Sequence, residues 1–323
     1  MKALMYTGIG ELEIQEIADV EGAYVVRVLG CGICGTDLKT FTVGHHFFKP
    51  PTILGHEFVG QLVRVPENSR YKVGDKVVVA PYYECGKCIN CTTDLPQMCT
   101  DKHYVSSGAF CEYVTIPEDY GPGMIRLPDS SDEQVFTLVE PLACVLNGIG
   151  HLRLRPWSKA LVVGGGPMGI LFALYFQDTG VPVTVVEPNS YRKQMIQSWG
   201  IECIDPADSD PSQYDQVIIS VNQAALIADA VHRIGNGGTV LAFSGLKKQD
   251  TFDADAYAIH YREVSVTGCS GFALAHFTLA YSMIEANQSH YAKLITHRMG
   301  LEQGLEAFDL LKQGKAFKIV LKP

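Results

Sequence analysis

A glycine-rich turn between an apolar strand and a helix is the feature that most constrains the fold of this chain. The predicted strand 160–163 leads into a segment that fits the spacing G-x-G-x-x-G. In such a turn the first glycine permits a tight bend, the second lets a phosphate approach the backbone, and the third lets the helix pack closely. The motif is weak alone, but its strand-to-helix context predicts a βαβ unit that binds a dinucleotide. The residues predicted to contact that cofactor are Gly164, Gly166, Pro167, Met168 and Gly169.

An acidic residue after the next predicted strand indicates which dinucleotide is bound. Glu187 follows Gly164 by 23 positions. A carboxylate there accepts hydrogen bonds from the adenosine ribose hydroxyls and repels a 2′-phosphate, so NAD is favoured over NADP. Arg192 is the one cation nearby that would favour a 2′-phosphate. Arg192 can also be an exposed arginine at the start of a helix or a cover for the adenine ring, and NADP stays the alternative.

The length and the pattern of predicted elements indicate two domains, one inserted in the other. A chain of 323 residues exceeds what one hydrophobic core usually organises. Short β-type runs fill residues 1 to about 145, whereas strands and helices alternate from about 150 to 285, as in a parallel sheet. The predicted helix 301–311 and strand 316–322 are expected to return to the first domain. We therefore predict an α/β protein with one domain of residues 1–148 and 287–323, and a dinucleotide-binding domain of residues 149–286.

Charge and hydropathy exclude two classes of partner. Lys and Arg number 26 against 35 Asp and Glu, for a net charge of −9, and no basic block is present to neutralise phosphates. Nucleic acid is therefore not expected as a partner. No uncharged apolar run reaches the roughly 20 residues of a membrane-spanning helix, and the amino terminus lacks the pattern of a signal peptide. We expect no membrane association and a cytoplasmic location.

Four closely spaced cysteines predict a structural metal site. In a reducing compartment such cysteines indicate metal ligands before disulfides. Four thiolates suit Zn²⁺ and leave no open position for a substrate, so the predicted zinc is structural, in a lobe of about residues 84–100. An iron–sulfur cluster and a redox dithiol are alternatives, but the usual continuation of the cluster motif is absent. The four ligands are Cys85, Cys88, Cys91 and Cys99.

A second group of metal-ligating residues is dispersed along the chain. Cys34 follows a predicted strand, and His56 and Glu57 come 22 and 23 positions later. Glu140 lies much further on, in Glu140-Pro141-Leu142. Each of these residues alone is more often structural than functional. Their combination with the glycine turn is what carries functional meaning.

These motifs together resemble the zinc-dependent medium-chain dehydrogenase family, and within it the sorbitol (polyol) dehydrogenase-like branch. The resemblance extends over essentially the whole chain. It implies a GroES-like, partly closed β-barrel catalytic domain and an inserted Rossmann domain with a doubly wound parallel sheet. It also implies an active site in the cleft between the domains, and homodimers or homotetramers.

The resemblance implies a ligand set for a catalytic zinc. Cys34 and His56 occupy the positions of two ligands, and Glu140 occupies the third position, where polyol, glucose and threonine dehydrogenases have a carboxylate. Glu57 matches a residue that ligates the metal directly in some members and not in others. Cys144 is an alternative third ligand, but it falls outside the motif.

The same resemblance assigns a proton path. Asp37 is expected to orient His56 through its other ring nitrogen. Thr36 stands where the family has a Ser or Thr whose hydroxyl takes the alcohol proton. Lys39 replaces the histidine that ends this relay in many relatives, so it is either the last relay group or a plain cofactor or surface contact.

Two further features concern the substrate. The loop that contains His45, His46, Phe47 and Phe48 is expected to line the substrate pocket. Its imidazoles could bind substrate hydroxyls, and its aromatic rings could cover the carbon faces of the substrate. The alternative is that these residues only pack the loop. Arg298 is expected either to reach the metal region or to form a structural ion pair.

The resemblance implies an oxidoreductase that uses NAD, one catalytic and one structural Zn²⁺ per chain, and a small-molecule polyol, sugar, cyclitol or amino-polyol substrate. The product is a ketone. One alternative is an L-threonine 3-dehydrogenase-like or amino-polyol activity. Another is a non-enzymatic NAD(P)H-binding member of the family, but such relatives lose the residues at Cys34, Thr36, His56 and Glu140, which this chain retains.

Overall fold

The structure is a computed structural model that describes residues 1–129 and 131–323. These residues form two compact units. The first contains Met1–Ala143 and Phe272–Pro323, and the second contains Cys144–Gly271. The second unit therefore differs at both ends from the segment 149–286 expected from the sequence.

The regular elements follow one another in a β-rich first part, an alternating middle part and a short mixed tail. In chain order the strands are β1 (Lys2–Gly8), β2 (Glu11–Glu16), β3 (Tyr24–Gly32), β4 (Thr52–Ile53), β5 (Glu57–Arg64), β6 (Lys76–Val79), β7 (Tyr82–Tyr83), β8 (His103–Tyr104), β9 (Tyr113–Ile116), β10 (Met124–Arg126), β11 (Ala160–Val163), β12 (Val183–Val186), β13 (Glu202–Ile204), β14 (Gln216–Ile219), β15 (Thr239–Ala242), β16 (Ser265–Gly268), β17 (Ile295–Gly300) and β18 (Lys318–Lys322). The helices are α1 (Gly35–Val43), α2 (Ile89–Thr92), α3 (Val139–Ile149), α4 (Pro167–Thr179), α5 (Ser190–Ser198), α6 (Ala224–Arg233), α7 (Ala256–Tyr261), α8 (Leu274–Ala286), α9 (Gln288–Ala292) and α10 (Gly304–Lys312).

The first unit is built on a mostly antiparallel sheet. Its strand order is β10-β6-β5-β3-β18-β17, with β9 also paired to β3, and a smaller sheet has the order β2-β1-β4. Large side chains such as Tyr6, Phe58, Phe110 and Phe308 fill the interior and are at most 2% exposed. This arrangement confirms the β-rich first part of the chain predicted from the short β-type runs.

The C-terminal strand completes this sheet. β18 lies beside β3 in antiparallel register, with Val320 opposite Gly32 and Leu321 opposite Cys31. The amide of Ile33 donates to the carbonyl of Ile319 at 2.9 Å. The end of the chain is thereby placed directly beside the segment that leads into Cys34.

Helix α8 belongs to the first unit, whereas the sequence assigned it to the inserted domain. The ring of Tyr281 lies 5.5 Å from that of Phe136, centroid to centroid, and its hydroxyl donates to the carbonyl of Arg126 at 3.0 Å. The alternation of strands and helices expected from about 150 to 285 extended over these residues, although no helix was assigned to them. It could not say which sheet the helix covers, because any amphipathic helix after a strand fits the same pattern.

The second unit is a six-stranded parallel sheet with the order β13-β12-β11-β14-β15-β16. Its central strands are apolar on both faces and bury Leu161, Val217, Ile218 and Val240 completely. The chain moves outward from β11 through β12 to β13, and then returns to place β14 on the other side of β11. This reversal is the switch point at which doubly wound sheets bind ligands, beyond the carboxyl ends of the strands.

The helices are short and serve mainly to cover the sheets. The longest, α4 and α8, have 13 residues each. Within the described part of the chain every helix is too short or too polar to traverse a bilayer.

A glycine-to-alanine change tests how closely β5 approaches β3. A Cβ on Gly60 would lie 2.3 Å from Cγ1 of Val26 and 2.5 Å from the carbonyl oxygen of Arg27. We expect Gly60→Ala to destabilise the protein by about 1–3 kcal/mol through overpacking. The measurement is the urea midpoint of unfolding. Gly121→Ala is the control, because a Cβ there would meet nothing within 4 Å; equal midpoints for both variants would contradict the prediction.

Candidate metal centres and dinucleotide site

Cys34 lies at the start of a helix, where the backbone favours a thiolate. It is the N-cap residue of α1, and its sulfur accepts the amide of Thr36 at 3.4 Å. Its own amide donates to Oδ2 of Asp37 at 2.9 Å. A helix amino terminus stabilises negative charge, so this position suits a metal-binding sulfur.

Asp37 connects α1 to the turn before β5. Its carboxylate is 1% exposed, and Oδ1 accepts the amide of Gly55 at 3.2 Å. The same oxygen lies 3.6 Å from Nδ1 of His56. This distance is longer than a hydrogen bond but short enough for a strong charge interaction. One buried carboxylate therefore holds the segments that carry Cys34 and His56.

The turn before His56 requires glycine. Gly55 has a φ of +91°, in the region that L-residues avoid. A Cβ there would lie 2.6 Å from the ring of Phe110 and 2.8 Å from the sulfur of Cys31. The glycine thus lets the chain pass tightly over the core and turn His56 toward Cys34.

Three predicted residues come together in the first unit. Ligand atoms of Cys34, His56 and Glu57 all lie within 4.8 Å of one another. Burial alone lowers the pKa of His56, but the neighbouring Asp37 and Cys34 outweigh burial and hold it well above its usual value. Sulfur, imidazole and carboxylate in one pocket are the donor set that Zn²⁺ prefers. The residues present therefore fit a zinc ion.

Glu57 is also held by a buried lysine that the sequence analysis did not identify. The carboxylate of Glu57 is fully buried, and Nζ of Lys318 lies 2.8 Å from Oε1 and 2.7 Å from Oε2. Lys318 is 1% exposed and comes from β18. A sequence signal existed: Lys318 is the only charged residue in the apolar segment 316–321. A lysine is seldom fully buried unless it is paired.

Glu140 lies near this ion pair but outside the three-residue group. It is in the first turn of α3 and is 8% exposed. Burial lowers the pKa of Lys318, but the carboxylates of Glu57 and Glu140 and the thiol of Cys34 raise it, and the net shift is upward. The carboxylates of Glu57 and Glu140 therefore both interact electrostatically with the ammonium group of Lys318, which is also close enough to Cys34 to feel its charge.

The predicted relay residues differ in exposure. Thr36 is half-buried in the first turn of α1, where its carbonyl accepts the hydroxyl of Thr40 at 2.8 Å. Lys39, one turn later, is exposed. Burial and the positive charges of His46 and Lys39 lower the pKa of His45. Lys39 therefore lies close enough to the histidine loop for its charge to act there.

The histidine loop lines a surface cavity of about 420 Å³. Rings of His45 and His46 stack at 4.6 Å, and Phe47 is 77% exposed. Among the described residues that line this cavity there is no member of the Cys34, His56 and Glu57 group. The loop's expected role in the substrate pocket therefore remains a prediction.

The four clustered cysteines have the spacing of a tetrahedral thiolate site. Sulfur–sulfur distances are 3.5 Å for Cys88 and Cys91, 3.7 Å for Cys88 and Cys99, and 4.0 Å for Cys85 and Cys91. Four sulfurs about 2.3 Å from a zinc lie about 3.8 Å apart. Backbone amides of Thr100 and Cys91 lower the pKa of Cys88 to about 5. All four are free thiols, so these residues fit a Zn²⁺ ion.

The three glycines of the turn in the second unit meet different steric requirements. Gly164 has a φ of +110°, and a Cβ on it would lie 2.5 Å from Val221. A Cβ on Gly169 would lie 1.9 Å from the carbonyl oxygen of Gly164. A Cβ on Gly166 would meet nothing within 4 Å, although it stands at the N-cap of α4 beside Pro167 and Met168. Gly166 thus leaves open the space that a pyrophosphate would occupy.

Glu187 supports this turn from the end of β12. It is 5% exposed, Oε2 accepts the amide of Gly165 at 2.9 Å, and Oε1 accepts that of Asn189 at 2.9 Å. Each carboxylate oxygen has a further lone pair for a ribose hydroxyl. Arg192 lies in the first turn of α5, where its amide donates to Oδ1 of Asn189 at 3.0 Å.

Two other side chains complete the description. Ser220, which the sequence analysis missed, donates to the carbonyl of Gly164 at 2.9 Å and braces the turn from β14. Arg298 pairs with Asp132, with Nη1 3.2 Å from Oδ1. The structural ion pair was one of the two roles expected for Arg298.

The second unit has a parallel sheet with a glycine turn, and the first unit carries Cys34, His56 and Glu57 at one point, as the resemblance implied. Comparison with known proteins agrees. Residues 20–129 match the family described as "Alcohol dehydrogenase GroES-like domain". Over its whole length the chain resembles the solved structure of 2R,3R-butanediol dehydrogenase from Bacillus subtilis, with a TM-score of 0.88 and 24% identity, covering 100% of this chain and 99% of the other. That likeness concerns the fold.

Curated relatives cover nearly the full chain. The D-altritol 5-dehydrogenase of Agrobacterium fabrum is 29% identical over 95% of each chain. The sorbitol dehydrogenase of Halalkalibacterium halodurans is 28% identical, and the L-threonine 3-dehydrogenase of Bacillus subtilis 27% identical, each over 100% of this chain and 99% of its own. The chain thus contains a segment that matches an alcohol dehydrogenase GroES-like domain, and it is similar to polyol and threonine dehydrogenases over nearly its full length.

The open space beside Gly166 yields a test of the dinucleotide site. We expect Gly166→Ala to leave the urea midpoint unchanged while weakening NADH binding by about tenfold or more, because the methyl group occupies the phosphate approach. Gly169→Ala should instead lower stability, since its Cβ would overlap the backbone. Fluorescence titration with NADH measures the first effect. Unchanged NADH affinity in a stable Gly166→Ala protein would contradict this view of the turn.

Proposed function

We propose that this protein is an NAD-dependent zinc dehydrogenase that reversibly oxidises a secondary alcohol of a polyol, sugar or cyclitol to a ketone. The observation that carries the proposal is the convergence of Cys34, His56 and Glu57 within 4.8 Å. The overall reaction converts the alcohol and NAD⁺ to a ketone, NADH and one proton. Polyol-acting relatives at similar identity along the full chain support this substrate class.

The metal centre would consist of Cys34, His56 and a carboxylate from Glu57 or Glu140. A bound Zn²⁺ supplies Lewis acidity, which lowers the pKa of an alcohol so that it ionises near neutral pH. The chain's own part is to hold the ligands: Asp37 anchors Cys34 through its amide and attracts the ring of His56. This orientation is in place before substrate arrives.

The first turn of α1 carries the residue that would accept the proton of the alcohol. Thr36 is two residues after Cys34, and its amide donates to that sulfur, so its hydroxyl would stand near the same centre. We propose that Thr36 accepts the alcohol proton. Lys39 is exposed one turn later, which suits passage of the proton to solvent or a contact with the cofactor.

The coenzyme we propose is NAD. A bound nicotinamide would supply the hydride acceptor for oxidation at the carbinol carbon. Glu187 supports NAD over NADP, because its buried carboxylate at the end of β12 would repel a 2′-phosphate. Gly164, Gly166 and Gly169 would hold the pyrophosphate against the start of α4, with Pro167 and Met168 in its first turn.

We further propose two zinc ions per chain, a homodimeric or homotetrameric assembly and a cytoplasmic location. The sulfur spacing of the Cys85–Cys99 lobe supports the second, structural ion. β16 ends the order of the parallel sheet, and such an edge can pair with another chain. Closely spaced thiols suit a reducing compartment.

A second candidate is oxidation of an amino alcohol such as L-threonine. The B. subtilis L-threonine 3-dehydrogenase matches this chain over its full length at 27% identity, close to the values for the polyol-acting relatives. Both candidates use the same reaction type and metal centre. They differ only in the groups that contact the substrate away from the reacting carbon.

Metal analysis tests the proposed centres. Cys34→Ser should contain about one zinc per chain where the parent contains about two, and turnover should fall roughly 10³-fold or more, because metal polarisation contributes several kcal/mol. Plasma emission spectroscopy gives the zinc content. Cys144→Ser is the matched control and should retain both zincs. A Cys34→Ser protein with two zincs and normal turnover would refute the proposal.

A substrate panel distinguishes the two candidates. We expect NADH formation with one or more of sorbitol, xylitol and myo-inositol, and a faster initial rate with NAD than with NADP. Amino-polyols and L-threonine belong in the same panel. Activity with L-threonine alone would replace the polyol proposal by the amino-alcohol one, and a preference for NADP would overturn the role proposed for Glu187.

A further inference from the structure

Helix α8 begins without a capping residue of its own. Its N-cap is Ala273, whose methyl side chain cannot accept a hydrogen bond, and its first turn contains no acidic residue. The first amides of a helix have no partners within the helix, and a Ser, Thr, Asp or Asn at the N-cap normally satisfies one of them. The cap of α8 must therefore come from elsewhere in the fold.

Glu84 supplies this cap from 190 positions away in the sequence. Its Oε2 accepts the amide of Leu274, the first residue of α8, at 3.0 Å. A carboxylate at this end of a helix is also favoured by the helix dipole. Close by, the hydroxyl of Tyr82 accepts the amide of Phe272 at 3.2 Å, and their rings stack with centroids 4.6 Å apart. Phe272 is the residue at which the chain re-enters the first unit.

Glu84 directly precedes the first cysteine of the Cys85–Cys99 lobe. The amide of Cys85 donates to the sulfur of Cys99 at 3.3 Å, and the amide of Cys88 donates to the sulfur of Cys85 at 3.4 Å. Such bonds strengthen when the sulfur is a thiolate, as it is when it binds a metal. The backbone next to Glu84 is therefore held by the same sulfurs that are proposed to hold zinc.

The Cys85–Cys99 lobe has no apolar core of its own. Among residues 85–99, only Cys99 is buried, while Ile89 and Met98 are 70% and 53% exposed. The lobe is closed at its base by the short pairing of β7 with β8. A segment without a core depends on its metal for its fold. Loss of the metal should therefore loosen the lobe and, with it, the position of Glu84.

We propose that the Cys85–Cys99 lobe is a metal-dependent clamp on the start of α8, and that Glu84 is the positioning residue that links the two. This inference rests on the proposed structural zinc and goes beyond it by giving that ion an effect outside its own lobe. Coupling between two sites is reciprocal. Zinc in the lobe stabilises the first turn of α8, and the contact with α8 tightens the binding of zinc.

Hydrogen exchange tests the effect of the metal on the helix. In a Cys34→Ser background the lobe zinc is the only one expected, so its removal by a chelator can be followed alone. Exchange in the peptide 272–282, measured by mass spectrometry, should become about fivefold faster without zinc, which is the usual effect of losing an N-cap. Glu84→Ala with zinc bound should show the same acceleration.

Asp101→Ala is the matched control for Glu84→Ala. Asp101 lies two residues after Cys99, so its removal also takes one carboxylate from the vicinity of the sulfurs. Its ion pair is with Lys87 of the lobe, and both of these side chains are exposed. Asp101→Ala should therefore leave exchange in the peptide 272–282 unchanged.

Zinc affinity and a rescue variant test the reciprocal effect. In competition with a chromophoric chelator, Glu84→Ala should bind the lobe zinc about fivefold more weakly than Asp101→Ala does. Ala273→Ser gives α8 a cap of its own. Added to Glu84→Ala, it should restore slow exchange in α8 but leave zinc affinity low, because the lobe and the helix remain unlinked. This double variant stays informative if Glu84→Ala alone is poorly folded.

Two results would overturn the clamp. One is unchanged exchange in the peptide 272–282 after the lobe zinc has been removed. The other is equal zinc affinity for Glu84→Ala and Asp101→Ala. A Cys34→Ser protein that contains no zinc removable by a further Cys88→Ser change would instead refute the proposed structural zinc. Failure of that part of the proposed function is thereby distinguished from failure of the clamp.

Discussion

The candidate metal centre depends on one buried carboxylate. Asp37 accepts the amides of Cys34 and Gly55 and lies 3.6 Å from the ring of His56. It therefore joins the start of α1 to the turn before β5, two segments separated in the chain by the rest of α1 and by β4. A buried carboxylate without such partners would be costly, so the interaction also makes this local geometry the stable one. The thiol and the imidazole meet because the same side chain holds both.

The surroundings of this centre are organised by charge. Asp37, Glu57 and Glu140 are three buried acidic side chains, and Lys318 is a buried base beside two of them. Removing one partner of a buried pair typically costs about 3–5 kcal/mol, whereas an intact pair contributes little net stability. Such an arrangement favours a unique geometry over maximal stability. Lys318 comes from β18, and the pairing of β18 with β3 brings this lysine to Glu57.

Individual residues show how far sequence reasoning reached. Strand β11 and the glycine turn were predicted from local pattern, and the contacts at Gly164 and Gly169 give the physical reason for two of the three glycines. The cysteine spacing predicted a four-thiolate lobe, and the sulfur–sulfur distances fit that prediction. The residues of helix α8 were placed within the inserted domain but belong to the first unit, because periodicity describes an apolar face and not its partner. Lys318 was not identified, since its partner Glu57 is 261 positions away in the sequence.

The sequence by itself determined the features that depend on short-range spacing: the glycine turn, the cysteine quartet, and the alternation of strands and helices. Tertiary structure decided which distant residues meet. It brought Cys34 together with His56 and Glu57, paired Glu57 with Lys318, and placed α8 in the first unit. The reason is that backbone geometry and local periodicity act over a few residues, whereas burial and charge pairing act between whichever side chains the packed sheets bring within a few ångströms.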